Sequence, residues 1–213
     1  MMKYTCFFLM LYISSASFAQ TDTIPSGVYH IKKLPVLKDS SRYRIQIMDG
    51  YTPYLSNMEV HITMLEPGKS AHPPQNHANT EELIIVKEGK LKVTIAGKTK
   101  ILGAGGVAMA MPGDMHGAVN ESRDKVSYYL LTVLFEKFDM HVTTLKPHQV
   151  SHAPHTHRQE EIIIVRKGNI EMQIGNTFQK ARPGDLIFLN SNIPHALKNL
   201  SKGECEYFAF QWQ

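Results

Sequence analysis

Short runs of alternating polar and apolar residues, separated by Gly, Pro, Asn and Asp, recur along most of the sequence. The segment 42–48 alternates with a period of two, which is typical of a strand with one buried face. The run Ile162–Val165 is continuously apolar and predicts a strand buried on both faces, which Gly168 should end in a turn. No segment shows a convincing helical period. The pattern therefore predicts an all-β sandwich or barrel.

The sequence also repeats itself at a spacing of about eighty residues. Three pairs of segments correspond, the last after a change of one residue in spacing: 59–67 with 139–147, 72–77 with 152–157, and 81–89 with 160–168. We therefore expect two copies of one folding unit, over 57–136 and 137–213, with the boundary near 135–137. Residues 20–56 are predicted to form an arm that adds one or two strands to a barrel.

Composition narrows the class of protein. Hydrophobic residues make up 43% and charged residues 20% of the 213 positions, which are ordinary values for a folded soluble protein and exclude disorder. The net charge is +4, and the densest basic points are Lys32-Lys33 and Arg42–Arg44. Because no aromatic stripe accompanies them, a nucleic-acid platform is not expected.

Residues 1–19 have the features of a secretory signal peptide. Lys3 gives a positive start, residues 6–13 form an apolar core, and Ser17-Phe-Ala19 offers a small-residue cleavage site. A membrane anchor is the alternative, but the core is too short to span about 30 Å of hydrocarbon. A lipid anchor would need Cys where Gln20 stands. We predict export, most simply to a periplasm, with no membrane attachment after cleavage.

Mass spectrometry of the exported protein should therefore find a mature chain that begins at Gln20. Cleavage would remove Cys6 and leave Cys205 without an internal disulfide partner, although the export route permits disulfides. An exported chain that retains residues 1–19 would contradict this prediction.

One stretch carries candidate chemistry. If residues 155–161 form one strand, His155, His157 and Glu161 point to the same side. Imidazole with carboxylate suits Mn, Fe, Ni, Cu or Zn, and with no thiolate nearby a structural zinc knuckle is not expected. His195, in a second predicted strand over 192–199, is a fourth candidate ligand.

This ordered set resembles the two signature motifs of the cupin superfamily. The first motif matches at His155, His157, Glu161 and Gly168, with Gln149 in place of its opening glycine. The second matches at Gly184, His195 and Asn199, with Asn190 and Asn192 in place of its proline and second glycine. The resemblance implies two tandem jelly-roll barrels, a bicupin, with His155, His157, Glu161 and His195 as metal ligands. Asn tolerates positive φ, so the replacements concern turn geometry rather than the ligands.

The first copy of the repeat departs from this pattern. Its ligand positions contain Gln75, His77, Glu82 and His116, so an amide replaces one imidazole. An extra residue before Glu82 changes the side-chain parity, which a bulge or loop must absorb. The resemblance therefore implies a secondary, weaker site, and whether it holds metal stays open.

Other repeated histidines have less specific interpretations. His72 and His152 precede the ligand positions by three residues and fit a turn or surface role, with the rim of a pocket as the alternative. His61 and His141 share strands whose opposite faces are more apolar, so we expect them to point outward. Three aromatic residues of the last strand share one face and are expected to pack in the core or between domains: Phe208, Phe210 and Trp212.

No Ser-His-Asp order, phosphate loop or dinucleotide fingerprint occurs, so the predicted chemistry depends on the metal. Cupins with this ligand set include dioxygenases, isomerases, decarboxylases and an aminohydrolase, which act on small molecules. We expect a metalloenzyme for a small substrate with adjacent oxygen donors. The alternative is a non-catalytic module that binds a sugar or another small ligand. The sequence identifies no general acid or base, and a homo-oligomer remains an open alternative.

Overall fold

The computed structural model describes residues 23–135 and 137–212, so the predicted signal peptide lies outside the described residues. Within these residues the chain forms one 3₁₀ turn, Ile31–Lys33, and seventeen strands. The strands are β1 (Gly27–Tyr29), β2 (Leu37–Lys38), β3 (Tyr43–Gly50), β4 (Met58–Leu65), β5 (Glu81–Glu88), β6 (Lys90–Ile95), β7 (Lys98–Gly103), β8 (Val107–Ala110), β9 (His116–Val119), β10 (Val126–Val133), β11 (Phe138–Leu145), β12 (Glu160–Lys167), β13 (Ile170–Ile174), β14 (Thr177–Ala181), β15 (Leu186–Leu189), β16 (His195–Asn199) and β17 (Cys205–Trp212). The all-β prediction is confirmed. No helix over the described ranges has the length and apolarity needed to cross a membrane.

The strands form two jelly-roll barrels, as the repeat predicted. In the first barrel, β4, β10, β5 and β8 form the larger sheet and β7, β6 and β9 the smaller one. In the second barrel, β15, β12, β17 and β11 form the larger sheet and β14, β13 and β16 the smaller one. The first barrel's β10 ends at Val133 and the second barrel's β11 begins at Phe138.

The N-terminal arm contributes two strands to the first barrel and one to the second. Strand β3 pairs with β4 at the edge of the first barrel, and β2 extends that sheet by one more strand. Strand β1 instead pairs with β15 of the second barrel, where Val28 lies opposite Ile187. Among residues 23–135 and 137–212, no strand pairs with the free side of the second barrel's β11, which forms the outer edge of its sheet. The arm therefore covers a different strand in each barrel: β4 in the first and β15 in the second.

The larger sheets pack against each other and enclose the main core between the barrels. Because side chains alternate along a strand, Leu83 and Ile85 of β5 face this central core, whereas Ile84 and Val86 face the interior of the first barrel. The same alternation places Ile162 and Ile164 in the central core and Ile163 in the second barrel. Phe208, Phe210 and Trp212 also belong to the central core, which confirms their predicted packing role.

The central core explains why the prediction that His61 points outward is wrong. Val60 and Ile62, on the apolar face of β4, pack in the layer between the barrels rather than inside their own barrel. The histidine face of the strand is therefore turned into the barrel. His61 is 3% exposed and lines the first barrel's cavity. His141 lines the second barrel's cavity but lies on the edge strand β11 and is exposed.

A buried carboxyl group joins the arm to the second barrel. Glu160, at the start of β12, accepts hydrogen bonds from Thr52 Oγ1 at 2.5 Å and Trp212 Nε1 at 2.8 Å. Burial raises the pKa of this carboxyl, and the two donated hydrogen bonds act in the opposite direction. Glu160 thus fixes the first position of β12. The side chain of the next residue, Glu161, lines the barrel's cavity.

Candidate metal centre

The two motif segments of the second barrel meet at His155 and His195. The backbone N–H of His155 donates to the carbonyl of His195 at 3.2 Å, and the N–H of His195 donates back at 3.0 Å. Residues that exchange both bonds in an antiparallel pair present their side chains to the same face. The two imidazole rings accordingly lie 4.6 Å apart between centroids.

The local structure around His157 differs from the single strand that the sequence predicted. Strand β12 begins only at Glu160, and residues 156–159 form a loop. His157 is positioned instead by its carbonyl, which accepts a hydrogen bond from the Asn192 N–H at 2.8 Å. Asn192 has a φ of +59°, so an asparagine does adopt the positive φ expected at this motif position. The predicted second strand is also shorter, because β16 begins at His195.

A second correction concerns the opening turn of the first motif. The sequence placed Gln149 at the glycine position of this motif. The positive φ occurs one residue earlier, at His148 with +60°, and its repeat equivalent Gly68 has +74°. Gln149 instead closes the turn, since its side-chain oxygen accepts a hydrogen bond from the Lys146 N–H at 2.9 Å.

Glu161 lies between two imidazoles of the second barrel. Its Oε2 is 3.4 Å from His157 Nε2 and 3.4 Å from His195 Nε2. Two donor atoms, each about 2.0–2.1 Å from a tetrahedral zinc ion, stand about 3.3 Å apart. Donor atoms of His157, Glu161 and His195 all lie within 4.8 Å of one another, and we call these three residues the inner set.

The backbone fixes which nitrogen each imidazole presents. His157 Nδ1 donates to the Gln159 carbonyl at 2.9 Å, and His195 Nδ1 donates to the Ile193 carbonyl at 2.8 Å. Each Nε2 is therefore unprotonated in the neutral ring and has a lone pair directed into the barrel. Both Nε2 atoms are buried and make no hydrogen bond with the described residues, although buried polar atoms usually have a partner, and this fits a role as metal ligands.

The charges of the inner set are also suited to a cation. Burial alone would raise the pKa of Glu161, but the nearby His157 and His195 imidazoles outweigh burial and lower the pKa to about 2. The nearby Glu161 carboxylate raises the pKa of His157. The carboxylate is therefore ionised at neutral pH and compensates positive charge between these rings.

His155 belongs to a different group from the inner set. Its donor atom lies within 4.8 Å of those of His152 and His195, and we call His152, His155 and His195 the outer set, because the first two are exposed. The rings of His152 and His155 meet edge to face, with centroids 4.1 Å apart. Sequence reasoning preferred a turn or surface role for His152. The structure shows it at the rim of the cavity, with its Nδ1 bonded to the Ala153 carbonyl at 3.0 Å.

The first barrel brings its candidate residues into closer contact. His77 Nε2 lies 2.9 Å from Glu82 Oε1 and 3.0 Å from the Gln75 amide nitrogen, and His116 Nε2 lies 3.0 Å from Glu82 Oε2. The loop 76–80 absorbs the extra residue, so Glu82, the second residue of β5, corresponds to Glu161 in β12. Donor atoms of His77, Glu82 and His116 fall within 4.8 Å of one another.

The two barrels differ most in the space beside these groups. The second barrel has a cavity of about 240 Å³ lined by both motif segments. The corresponding cavity in the first barrel is about 20 Å³, and Arg42 and His61 are among its lining residues. Burial lowers the pKa of His61 to about 3, and the charges of Arg44 and Arg42 act in the same direction. His61 is therefore neutral and buried at neutral pH. Together with Arg42 of the arm it lines the little space that is left, so the first barrel is almost closed.

Two barrels, each with histidines and a glutamate at equivalent positions, are the arrangement of a bicupin. The chain belongs to the cupin domain family, which matches residues 61–133 and 141–210. The predicted membership is confirmed. No curated protein matches the sequence.

Similar solved structures extend over both barrels. AerE from Microcystis aeruginosa is 16% identical over 84% of this chain and 97% of its own, with a TM-score of 0.71. Ylba from E. coli is 17% identical over 93% and 95%, with a TM-score of 0.71. Oxalate decarboxylase from Bacillus subtilis, a protein with Mn(II) centres, is 10% identical over 89% and 78%, with a TM-score of 0.67. At these identities the likeness shows the fold.

Proposed function

We propose that this protein is an exported, metal-dependent cupin enzyme that acts on a small substrate with adjacent oxygen donors, and that its second barrel holds the active site. The observation that carries the proposal is the cavity of about 240 Å³ beside His155, Glu161 and His195. The first barrel, with about 20 Å³, has no comparable room for a substrate. We therefore assign a substrate site to one barrel only.

The residues of the second barrel fit a divalent metal ion. The buried Nε2 atoms of His157 and His195 make no hydrogen bond, and the Glu161 carboxylate lies 3.4 Å from each. His155 adds a further imidazole beside His195. Mn, Fe, Ni, Cu and Zn all accept this combination of imidazole and carboxylate. Such an ion would act as a Lewis acid that polarises oxygen donors of the substrate.

The remaining lining residues would bind and orient the substrate. Thr143, Ser151, Tyr207 and Gln211 line the cavity and offer hydrogen-bonding groups. Burial raises the pKa of Tyr207, so its hydroxyl stays protonated at neutral pH and can donate. Apolar side chains on the barrel wall limit contact with bulk water: Ile163, Met172 and Leu197. The cavity is smaller than the roughly 300–1,000 Å³ of pockets for drug-sized ligands, which favours a small substrate.

The structural relatives support this substrate class. Oxalate decarboxylases from Lactobacillus farciminis and Bacillus subtilis and salicylate 1,2-dioxygenase from Pseudoaminobacter salicylatoxidans share the fold, with TM-scores of 0.70, 0.67 and 0.64. These enzymes are named for oxalate and salicylate, which are small carboxylates whose oxygen atoms can chelate an ion. Oxalate and salicylate are therefore suitable first probes.

The test begins with the metal content of purified protein, followed by reloading of metal-free protein with Mn(II), Fe(II), Co(II) or Zn(II). We expect the wild type to bind an ion in the second barrel and the isosteric variant Glu161→Gln to bind it at least about 10-fold more weakly. Oxalate and salicylate, together with catechol, are then tested for binding by calorimetry and for turnover.

Binding of such a ligand without turnover would identify a non-catalytic binding module, the alternative function. Metal binding that is unaffected by Glu161→Gln would overturn the assignment of the second-barrel centre.

A further inference from the structure

His152 is the one member of the outer set that has no role in the proposed reaction. His152, His155 and His195 nevertheless place a donor atom each within 4.8 Å of one another. The His152 ring contacts His155 edge to face at 4.1 Å and approaches His195 at 6.0 Å between centroids. Three imidazoles at this separation can bind one transition-metal ion.

The orientation of His152 supports a ligand role. Its Nδ1 donates to the Ala153 carbonyl at 3.0 Å, so Nε2 is the nitrogen with a free lone pair. Metal-binding histidines commonly have their other nitrogen fixed in this way. His195 is fixed in the same manner through the Ile193 carbonyl. Two of the three imidazoles thus have their tautomers set by the backbone.

The repeat provides an internal comparison. His72 occupies the equivalent position in the first barrel, and its Nδ1 donates to the Pro73 carbonyl at 2.8 Å. Its Nε2, however, lies 3.4 Å from the Gln75 amide nitrogen, because glutamine stands where the second barrel has His155. The first barrel therefore has a histidine equivalent to His152 but glutamine at the position of His155.

We propose that His152, His155 and His195 form a second cation position at the mouth of the second barrel, selective for ions that prefer imidazole, such as Zn(II), Cu(II) or Ni(II). His195 offers only Nε2, so the inner and outer sets are alternative positions for one ion and not two simultaneous sites. The outer position contains no carboxylate, and hard, oxygen-preferring ions such as Mg(II) or Ca(II) should not bind there. This inference rests on one part of the proposed function, that an ion binds in the second barrel, and not on the activity or the substrate.

The test measures Zn(II) affinity of metal-free full-length protein by competition with a chromophoric chelator. All variants carry His77→Ala, which removes a candidate ligand from the first barrel. In a Glu161→Gln background the inner set is weakened, and the outer set should hold the remaining ion. Adding His152→Ala should then weaken Zn(II) binding at least about 10–100-fold, whereas adding the matched control His72→Ala should leave it unchanged.

The outcomes separate the two proposals. If His152→Ala and His72→Ala behave alike in the Glu161→Gln background while Glu161→Gln itself weakens binding, the outer position is wrong and the inner centre stands. If His152→Ala abolishes binding while Glu161→Gln has no effect, the outer position stands and the inner centre fails. If the protein binds no Zn(II) at all, both fail. His152→Gln and circular dichroism serve as folding checks. Because the His152 ring is exposed, its substitution should leave the fold intact.

Discussion

His157→Ala is expected to remove the ion from the inner set under mild chelation, so that the second barrel keeps at most the ion that the outer set can hold, whereas His77→Ala should leave the second barrel's ion in place. His157 presents a buried, unpaired Nε2 at 3.4 Å from the Glu161 carboxylate, a spacing suited to a shared ion. In the first barrel, an amide replaces one imidazole at Gln75. Loss of residues that only support a metal site costs about 10–100-fold in affinity, or about 1.4–2.7 kcal/mol, and loss of a ligand should cost at least that much.

Metal content per chain and turnover, measured after identical chelator treatment of the wild type and both variants, provide the comparison. Circular dichroism is the control, since packed sheets rather than an ion should stabilise barrels of this size. A greater loss of metal or activity in the His77 variant would show that the first barrel is the principal site. A His157 variant that keeps its metal but unfolds would identify His157 as a core residue.

Gly168→Ala should cost about 2–5 kcal/mol of unfolding free energy and should be among the most destabilising single changes in the second barrel. Gly168 has a φ of +79°, which costs an L-residue about 1–2 kcal/mol. An added Cβ would also lie 2.6 Å from Cys205 Cβ and 2.9 Å from Cys205 Cα. Relieving such overpacking requires a shift of β17 and typically costs a further 1–3 kcal/mol, by rough estimate.

Gly175→Ala is the matched control for this change. Gly175 also has a positive φ, +58°, but an added Cβ would meet nothing within 4 Å. Its substitution should therefore cost only the backbone part, about 1–2 kcal/mol. Urea denaturation of metal-free proteins gives both values. Equal losses in the two variants would show that the Gly168 turn adjusts to Cys205 without strain.

The sequence was most informative where its signal was repeated. Correspondence between 81–89 and 160–168 predicted two equivalent units, and both segments contain strands that begin one residue before a buried glutamate. The two motif segments pair with His155 opposite His195, because turns next to each segment set the register of the pairing. Asn192 adopted the positive φ that its position in the motif requires.

The errors arose where a single chain segment does not determine its surroundings. Alternation in β4 separates His61 from Val60 and Ile62, but it cannot tell whether the apolar face packs inside a barrel or between barrels. Here the second barrel covers the apolar face, so the histidine points inward. Similarly, a two-residue spacing in 155–157 looks like a strand, although the β-bridge to His195 ends at His155 and residues 156–159 form a loop. For His152 the rim of a pocket was only the alternative interpretation, because the sequence does not show that the bends at 151–154 bring its ring against His155.

The pairing of β1 with β15 has a consequence for the order in which the chain can fold. Gly27 lies opposite Phe188, so the first described strand must wait for one of the last strands to emerge during synthesis. Pairing between such distant segments is slow, because the entropy of closing the chain is lost before the contact forms. The first barrel can collapse early, but the second sheet keeps an open edge at β15 until the arm docks. We therefore expect release of the amino-terminal strand to expose an edge on which partly folded chains associate.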